Sequence, residues 1–204
     1  MTNHIDAVMC FLWILTYTLV LVGTIRHKYP LISPITQLII APFEFAVVIK
    51  MLIAGNLGFD YISVSYLYWT IIEIAILAVM IGYGFVLKEY VVPYLLAVIA
   101  VTALMCYLVG FAGHQFFFSY FNTFVGEIVW LVHILKKDYP RKPVVLMIFV
   151  AKFLGDAISI PVYFGRASLV ISLLSLLLPI LDFVFVHVYF LRSAEGKNNI
   201  LKQE

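Results

Sequence analysis

Seven long apolar stretches fill nearly the whole chain and constrain its fold more than any motif does. Each is about 20 residues long, which is the length that an α-helix needs to cross the hydrocarbon core of a bilayer. We predict spans at 7–25, 33–54, 67–87, 91–112, 115–135, 143–164 and 168–190. The sequence therefore predicts an all-α integral membrane protein, a bundle of seven transmembrane helices.

Composition leaves no room for a soluble domain. Of the 204 residues, 64% are hydrophobic and only 12% are charged, and the mean hydropathy of the whole chain is +1.07. A soluble surface needs far more charge. We assign residues 1–192 to a single transmembrane domain and residues 193–204 to a short polar C-terminal tail. The net charge of +2 is small and its basic residues lie in loops, which argues against a nucleic-acid partner.

The basic residues predict an orientation, because cytoplasmic loops carry an excess of Lys and Arg. With the N-terminus outside and the C-terminus in the cytoplasm, ten basic residues lie on the inner side and two on the outer side. The inner ones are Arg26, Lys28, Lys88, Lys136, Lys137, Arg141, Lys142, Arg192, Lys197 and Lys202, and the outer ones are Lys50 and Arg166. This asymmetry exists only for an odd number of spans. The expected location is the endoplasmic reticulum in a fungus, or the cytoplasmic membrane in a bacterium.

Ionisable residues inside the spans are the strongest functional signal. Each costs about 2.5–3.5 kcal/mol at the bilayer centre on insertion scales, so each is a functional candidate. They are Glu44, Glu73, Glu127, Lys152, Asp156 and Asp182. At 1.5 Å per helical residue, all except Glu73 fall in one slab roughly 12–20 Å from the inner side. Glu73 is placed near the outer interface. A shared depth for carboxyl groups in an apolar bundle predicts a buried polar cavity.

Lys152 and Asp156 are four residues apart, hence on one helix face and able to pair. A structural ion pair that keeps the cavity wall neutral is the simpler interpretation, and a catalytic role is the alternative. Glu127 either joins this network or forms a hydrogen bond across helices.

Glu44 and Asp182 share a context that favours catalysis. Pro42 and Pro179 lie two and three residues before them. A proline inside a span kinks its helix, and such a kink is tolerated where neighbouring groups or a cavity satisfy the freed carbonyl. A carboxyl group in an apolar site tends to stay protonated, which makes it a general acid, and two close carboxyls share a proton. We predict that Glu44 and Asp182 are a catalytic pair facing one cavity.

Aromatic rings are frequent at the same depth. Their faces attract cations, which suits a reaction that proceeds through carbocations. Packing of aromatic side chains between helices explains the presence of most of these rings equally well. The residues predicted to line or support the pocket also include Phe43, Trp69, Glu73, Tyr163 and Phe183.

The order and spacing of these features resemble the small seven-span meroterpenoid cyclases of the paspaline and pyripyropene type. The first span ends in the basic linker Arg26-His27-Lys28-Tyr29-Pro30. Phe43-Glu44 stands where the family typically has Trp-Glu, and Lys152-Phe153-Leu154-Gly155 is similar to its Arg-Phe-Leu-Gly stretch. The last span carries one acid, Asp182, about twenty residues before the C-terminus, as the family does.

The resemblance implies a protonation-initiated terpene cyclase, an isomerase or lyase that needs no cofactor. Its substrate would be a linear terpenoid or a prenylated meroterpenoid, in some cases epoxidised, that enters from the lipid phase. Glu44 and Asp182 would supply the acid. No metal is implied, because the inner loops contain no Asp-rich cluster of the kind that binds diphosphate through metal ions.

A small proton-coupled transporter is the alternative. Lys28-Tyr29-Pro30 and Asp138-Tyr139-Pro140 follow the first and fifth spans, and each is followed by a further proline, Pro34 or Pro143. This echo is compatible with two three-helix repeats around a linker helix, a transporter-like plan. A retinal protein is disfavoured because the last span contains no lysine for a Schiff base.

Overall fold

The computed structural model describes residues 2–58, 60–110, 115–136, 139, 142–163 and 168–200, and these contain seven α-helices and no strand. The helices are α1 Thr2–His27, α2 Pro34–Ile53, α3 Tyr61–Gly82, α4 Val91–Gly110, α5 Gln115–Ile134, α6 Pro143–Tyr163 and α7 Leu169–Ile200. Each contains a stretch that is long and apolar enough to cross a membrane. The seven-helix, all-α prediction is confirmed. Helix α7 also continues through most of the segment predicted as a polar tail.

The position of α3 corrects one prediction. Asp60 caps this helix, since its Oδ1 accepts hydrogen bonds from the amides of Ile62 and Ser63 at 3.0 Å each, and Gly84, with φ of 73°, follows its end. The helix therefore begins six residues before the predicted start of the span at 67. Glu73 consequently lies in the middle of α3 and is fully buried, so its predicted placement near the interface was wrong.

Six helices form a closed ring. Going round it, α1 packs against α3, α3 against α2, α2 against α5, α5 against α7, α7 against α6, and α6 against α1. Helix α4 lies outside the ring, packed mainly on α2, and little of its surface is buried. The ring thus places six helices around a shared interior without any contribution from α4.

The ring has a two-fold pattern. Exchanging α1, α2 and α3 with α5, α6 and α7 maps every contact of the ring onto another contact of the ring. This is the pattern expected of two three-helix units joined by α4. It agrees with the echo of tyrosine–proline motifs in the sequence, although only Tyr139 of the second motif lies within the described residues.

The loop between α1 and α2 closes one end of the ring. Leu31 in this loop is completely buried, and its carbonyl accepts hydrogen bonds from Trp130 Nε1 at 2.7 Å and from the Tyr139 hydroxyl at 2.8 Å. Burial raises the pKa of the Tyr139 phenol, so the group remains protonated as a donor. His133 Nε2 lies 2.6 Å from the carbonyl oxygen of Pro30. These contacts seal the interior at the end where α1 terminates.

Candidate active site

Lys152 on α6 is the centre of a buried cluster of charged groups. Its Nζ donates to Asp156 Oδ2 at 2.5 Å, one turn later on the same helix, and to Glu127 Oε1 on α5. Asp182 Oδ1 on α7 lies 3.2 Å from Nζ, close enough for an ion pair but without hydrogen-bond geometry. The predicted pairing of Lys152 with Asp156 is confirmed, and Glu127 joins it. We call these four residues the lysine cluster.

The lysine cluster contains three carboxyl groups and one ammonium group. One oxygen from each of Glu127, Asp156 and Asp182 lies within 4.8 Å of the others, and all three side chains are at most 1% exposed. The cation at their centre is the chain's own ammonium group. Full ionisation would leave two uncompensated negative charges in the interior, which is very costly. The cluster therefore retains protons at neutral pH.

A central cavity lies between the ring helices. This space has a volume of about 490 Å³ including its opening, of which about 30 Å³ is accessible to water molecules. That is room for one or two waters. Residues from α1, α2, α3, α5 and α6 line it: Trp13, Thr16, Tyr17, Glu44, Tyr66, Trp69, Ser119, Thr123, Trp130, Lys152 and Asp156.

Glu44 lies in this cavity and forms no ion pair with any residue that the structure describes. It is half-buried on α2, two residues after Pro42, which lies inside the helix. Its Oε2 atom is buried and makes no hydrogen bond among the described residues. The indole Nε1 of Trp69, another lining residue, is likewise buried and unpaired there. The wall thus offers a carboxyl oxygen and an N–H donor that have no hydrogen-bond partner in the described part of the chain.

Aromatic rings form one side of the cavity. The Trp13 and Trp69 ring centroids are 5.7 Å apart, and Tyr66 meets Trp69 edge-on at 5.1 Å. Trp13 also donates from Nε1 to Asp156 Oδ1 at 2.8 Å, which connects the aromatic wall to the lysine cluster. Cations are stabilised by such ring faces.

In the structure, some of the predicted site residues line the cavity and others do not. Glu44, Trp69, Lys152 and Asp156 line the cavity, and Glu127 and Asp182 lie behind it in the lysine cluster. Asp182 is absent from the cavity wall and reaches it only through Lys152.

The remaining predicted residues lie elsewhere. Phe43 packs with Val47 and Val109 in a separate apolar cluster, and Phe183 is 62% exposed on α7. The side chain of Tyr163 lies outside the described residues. Glu73 is buried within electrostatic range of Glu44, and neither of its carboxyl oxygens accepts a hydrogen bond from the described residues.

Three aromatic residues of α1 and α3 that line the cavity were not recognised in the sequence: Trp13, Tyr17 and Tyr66. Trp13 and Tyr17 are four residues apart on α1, and Tyr66 and Trp69 are three apart on α3. Each pair therefore occupies one helix face. This aromatic spacing on two neighbouring helices was the signal that could have located the wall.

A second, larger space lies on the outside of the ring between α2, α3 and α4. This groove has a volume of about 710 Å³ and an almost wholly apolar lining. Its residues are Phe45, Val48, Ile49, Thr70, Ile74, Val98, Ile99, Thr102, Ala103 and Cys106. Phe45 follows Glu44 and Thr70 follows Trp69, so the same stretches of α2 and α3 separate the groove from the cavity.

No protein-family model, curated protein sequence or solved structure matches this chain.

Proposed function

We propose that this chain is a membrane-embedded terpene cyclase that begins its reaction by protonating the substrate with Glu44. The observation that carries the proposal is the Glu44 carboxyl, which has a buried, unpaired oxygen in a cavity walled by aromatic rings. A buried carboxyl that takes part in no ion pair tends to keep its proton and can donate it. The surrounding rings stabilise the positive charge that results.

Protonation of a terminal alkene or epoxide converts an apolar chain into a cation. The O–H bond of Glu44 breaks, a new C–H or O–H bond forms on the substrate, and successive double bonds attack the cationic carbon. Trp13, Tyr66 and Trp69 present the ring faces along which that charge moves. The unpaired N–H of Trp69 suits an epoxide oxygen.

The apolar groove supports an entry route from the lipid. Its 710 Å³ lies in the range of about 300–1,000 Å³ typical of small-molecule sites, whereas the cavity is far below it. A linear terpenoid first occupies the groove, and α2 and α3 separate to admit it to the cavity. Pro42, which removes a backbone hydrogen bond from α2 beside Glu44, makes that helix the easier one to bend.

Asp182 acts as a positioning residue in this scheme. Its carboxyl lies against Lys152 and not on the cavity wall, so it fixes the ammonium group and, through it, Asp156. Loss of Asp182 therefore weakens turnover without removing the initiating acid.

Substitution of Glu44 by Gln tests the proposal, because the amide keeps the shape but has no acidic proton. Membranes containing each variant are supplied with farnesyl and geranylgeranyl alcohols, prenylated phenols and their terminal epoxides, and the products are identified by mass spectrometry. We expect Glu44→Gln to lower cyclisation by at least about 10²–10⁴-fold. The matched control is Glu89→Gln, an exposed site before α4, which should cyclise normally.

Two outcomes would overturn the proposal. One is normal cyclisation by folded Glu44→Gln protein. The other is the absence of any cyclised product from the unchanged protein across the whole substrate panel.

The two-fold contact pattern of the ring favours a second candidate, a proton-coupled transporter. In that case the cavity is a substrate site between two three-helix units, and Glu44 carries the coupled proton. Purified protein in vesicles would then take up a solute in response to a pH gradient, Glu44→Gln would uncouple that uptake, and no terpenoid would be altered.

A further inference from the structure

Two carboxyl groups face the central cavity in opposite environments. Asp156 has both oxygens occupied by donors, Trp13 Nε1 at 2.8 Å and Lys152 Nζ at 2.5 Å. Glu44 is in no ion pair among the described residues, and its Oε2 accepts no hydrogen bond. Hydrogen bonds to the charged form of a carboxyl favour that form, whereas burial without partners favours the neutral form.

We propose that Asp156 is the general base of the reaction and removes the proton that the final cation loses. This inference rests on the proposed function and adds to it the residue that ends the cascade. When the environments of two carboxyls differ in this way, they take the roles of acid and base. Glu44 is then the acid and Asp156 the base of one cavity.

Hydrogen bonds distinguish the three carboxyls of the lysine cluster. Both oxygens of Asp156 accept a hydrogen bond, whereas Glu127 accepts one through Oε1 alone and Asp182 accepts none from the described residues. Asp156 is therefore the carboxyl whose charged form has the most donors, and the proposal assigns the charge to it. Of these three carboxyls, Asp156 is the one that lines the cavity.

The proton balance closes without a co-reactant. Glu44 gives one proton to the substrate, and rings form as the cation moves along the chain. A C–H bond next to the last cationic carbon then breaks, its electron pair forms a C=C bond, and the proton moves to an Asp156 oxygen. Release of the product leaves Glu44 deprotonated and Asp156 protonated. A water in the emptied cavity, which has room for one or two, returns the proton to Glu44.

Product identity after Asp156→Asn tests this assignment. An amide cannot accept the proton, so the cation persists until water captures it. We expect substrate consumption to continue at a rate lowered by about 10²-fold or more, with the product changing from an alkene to an alcohol. Asp60→Asn is the matched control, because Asp60 caps α3, does not line the cavity, and Asn also caps helices. It should give the alkene at the normal rate.

A second variant covers the case in which Asp156→Asn does not fold. Asp156→Glu keeps the charge but extends the carboxylate by one methylene, so the base reaches a different C–H bond and the double bond of the product moves. A purely structural role for Asp156 does not predict such a shift.

The outcomes separate the two proposals. The normal alkene at the normal rate from Asp156→Asn, or an unmoved double bond from Asp156→Glu, overturns the base assignment and leaves Glu44 as the acid. No turnover of any terpenoid in the panel by the unchanged protein overturns both. Alcohol formation by Asp156→Asn together with loss of all turnover in Glu44→Gln supports both.

Discussion

At the residue scale, one ammonium group holds three helices together. Lys152 contacts carboxyl groups from α5, α6 and α7, and its side chain is only 7% exposed. A buried charge that loses its partner is strongly destabilising, whereas a complete cluster can be close to neutral. Its energetic importance therefore appears only when the cluster is broken.

We predict that Lys152→Met lowers the free energy of unfolding by about 3–5 kcal/mol, because Asp156 is left charged and unpaired. The measurement is equilibrium unfolding in detergent micelles. Lys88→Met, at an exposed position before α4, is the control and should change little. The double variant Lys152→Met with Asp156→Asn should recover part of the loss, and equal stability of Lys152→Met and the unchanged protein would contradict the prediction.

The Lys152–Asp156 pair could be predicted because it depends on helix periodicity alone. The proposed pairing of Glu44 with Asp182 depended on which helices are neighbours, and no local rule supplies that. In the ring, α2 packs against α3 and α5, while α7 packs against α5 and α6. Equal depth in the membrane was therefore a poor guide to proximity.

At the element scale, helix boundaries set depth. Ser63 and Ser65 precede the predicted start of the third span at residue 67, although both are buried in α3. The cap at Asp60 determines where this helix begins, and the resulting shift moves Glu73 from the interface to the interior. The number of helices followed from hydropathy, but the position of this one followed from a single side-chain cap.

The close approach of α1 and α6 depends on Gly155. A Cβ atom at this position would lie 2.6 Å from Trp13 Cδ1 and 2.8 Å from Trp13 Nε1. Trp13 is the residue that donates to Asp156. The packing of these two helices therefore also sets the geometry of the candidate base.

We predict that Gly155→Ala destabilises the protein by about 1–3 kcal/mol through overpacking and lowers turnover, since Trp13 must move away from Asp156. Thermal unfolding and product yield measure the two effects. Gly82→Ala is the matched control, because a Cβ there meets nothing within 4 Å. Unchanged stability and activity in Gly155→Ala would contradict the prediction, because it would show that Trp13 can move without loss of packing or function.

At the scale of the whole molecule, the ring separates two environments. Its interior contains carboxyl groups from α2, α3, α5, α6 and α7 and the ammonium group of Lys152, while exposed apolar side chains lie on the outer surface of every helix. The ring order could not be predicted, because hydropathy gives the number of spans and not their neighbours. The order of the helices in the ring determines which acidic side chains lie close together.

The orientation remains a prediction of the basic loops, and seven crossings require the termini to lie on opposite sides. In sealed spheroplasts of a bacterium that carries the chain in its cytoplasmic membrane, we expect a C-terminal tag to be protected from added protease and an N-terminal tag to be cleaved. The two tags act as each other's control. Cleavage of the C-terminal tag alone would reverse the orientation, and cleavage of both or neither would contradict seven crossings.

Helix α4 lies outside the ring, yet the architecture has a reason for it. A chain that crosses a membrane three times finishes on the far side from its start. A second unit of three helices attached directly would therefore enter inverted, as in transporters whose repeats are related by an axis in the membrane plane. One extra crossing by α4 brings the chain back to its starting side, so that α5 enters as α1 does. The parity of the crossings, rather than any contact with the cavity, thus accounts for the helix outside the ring.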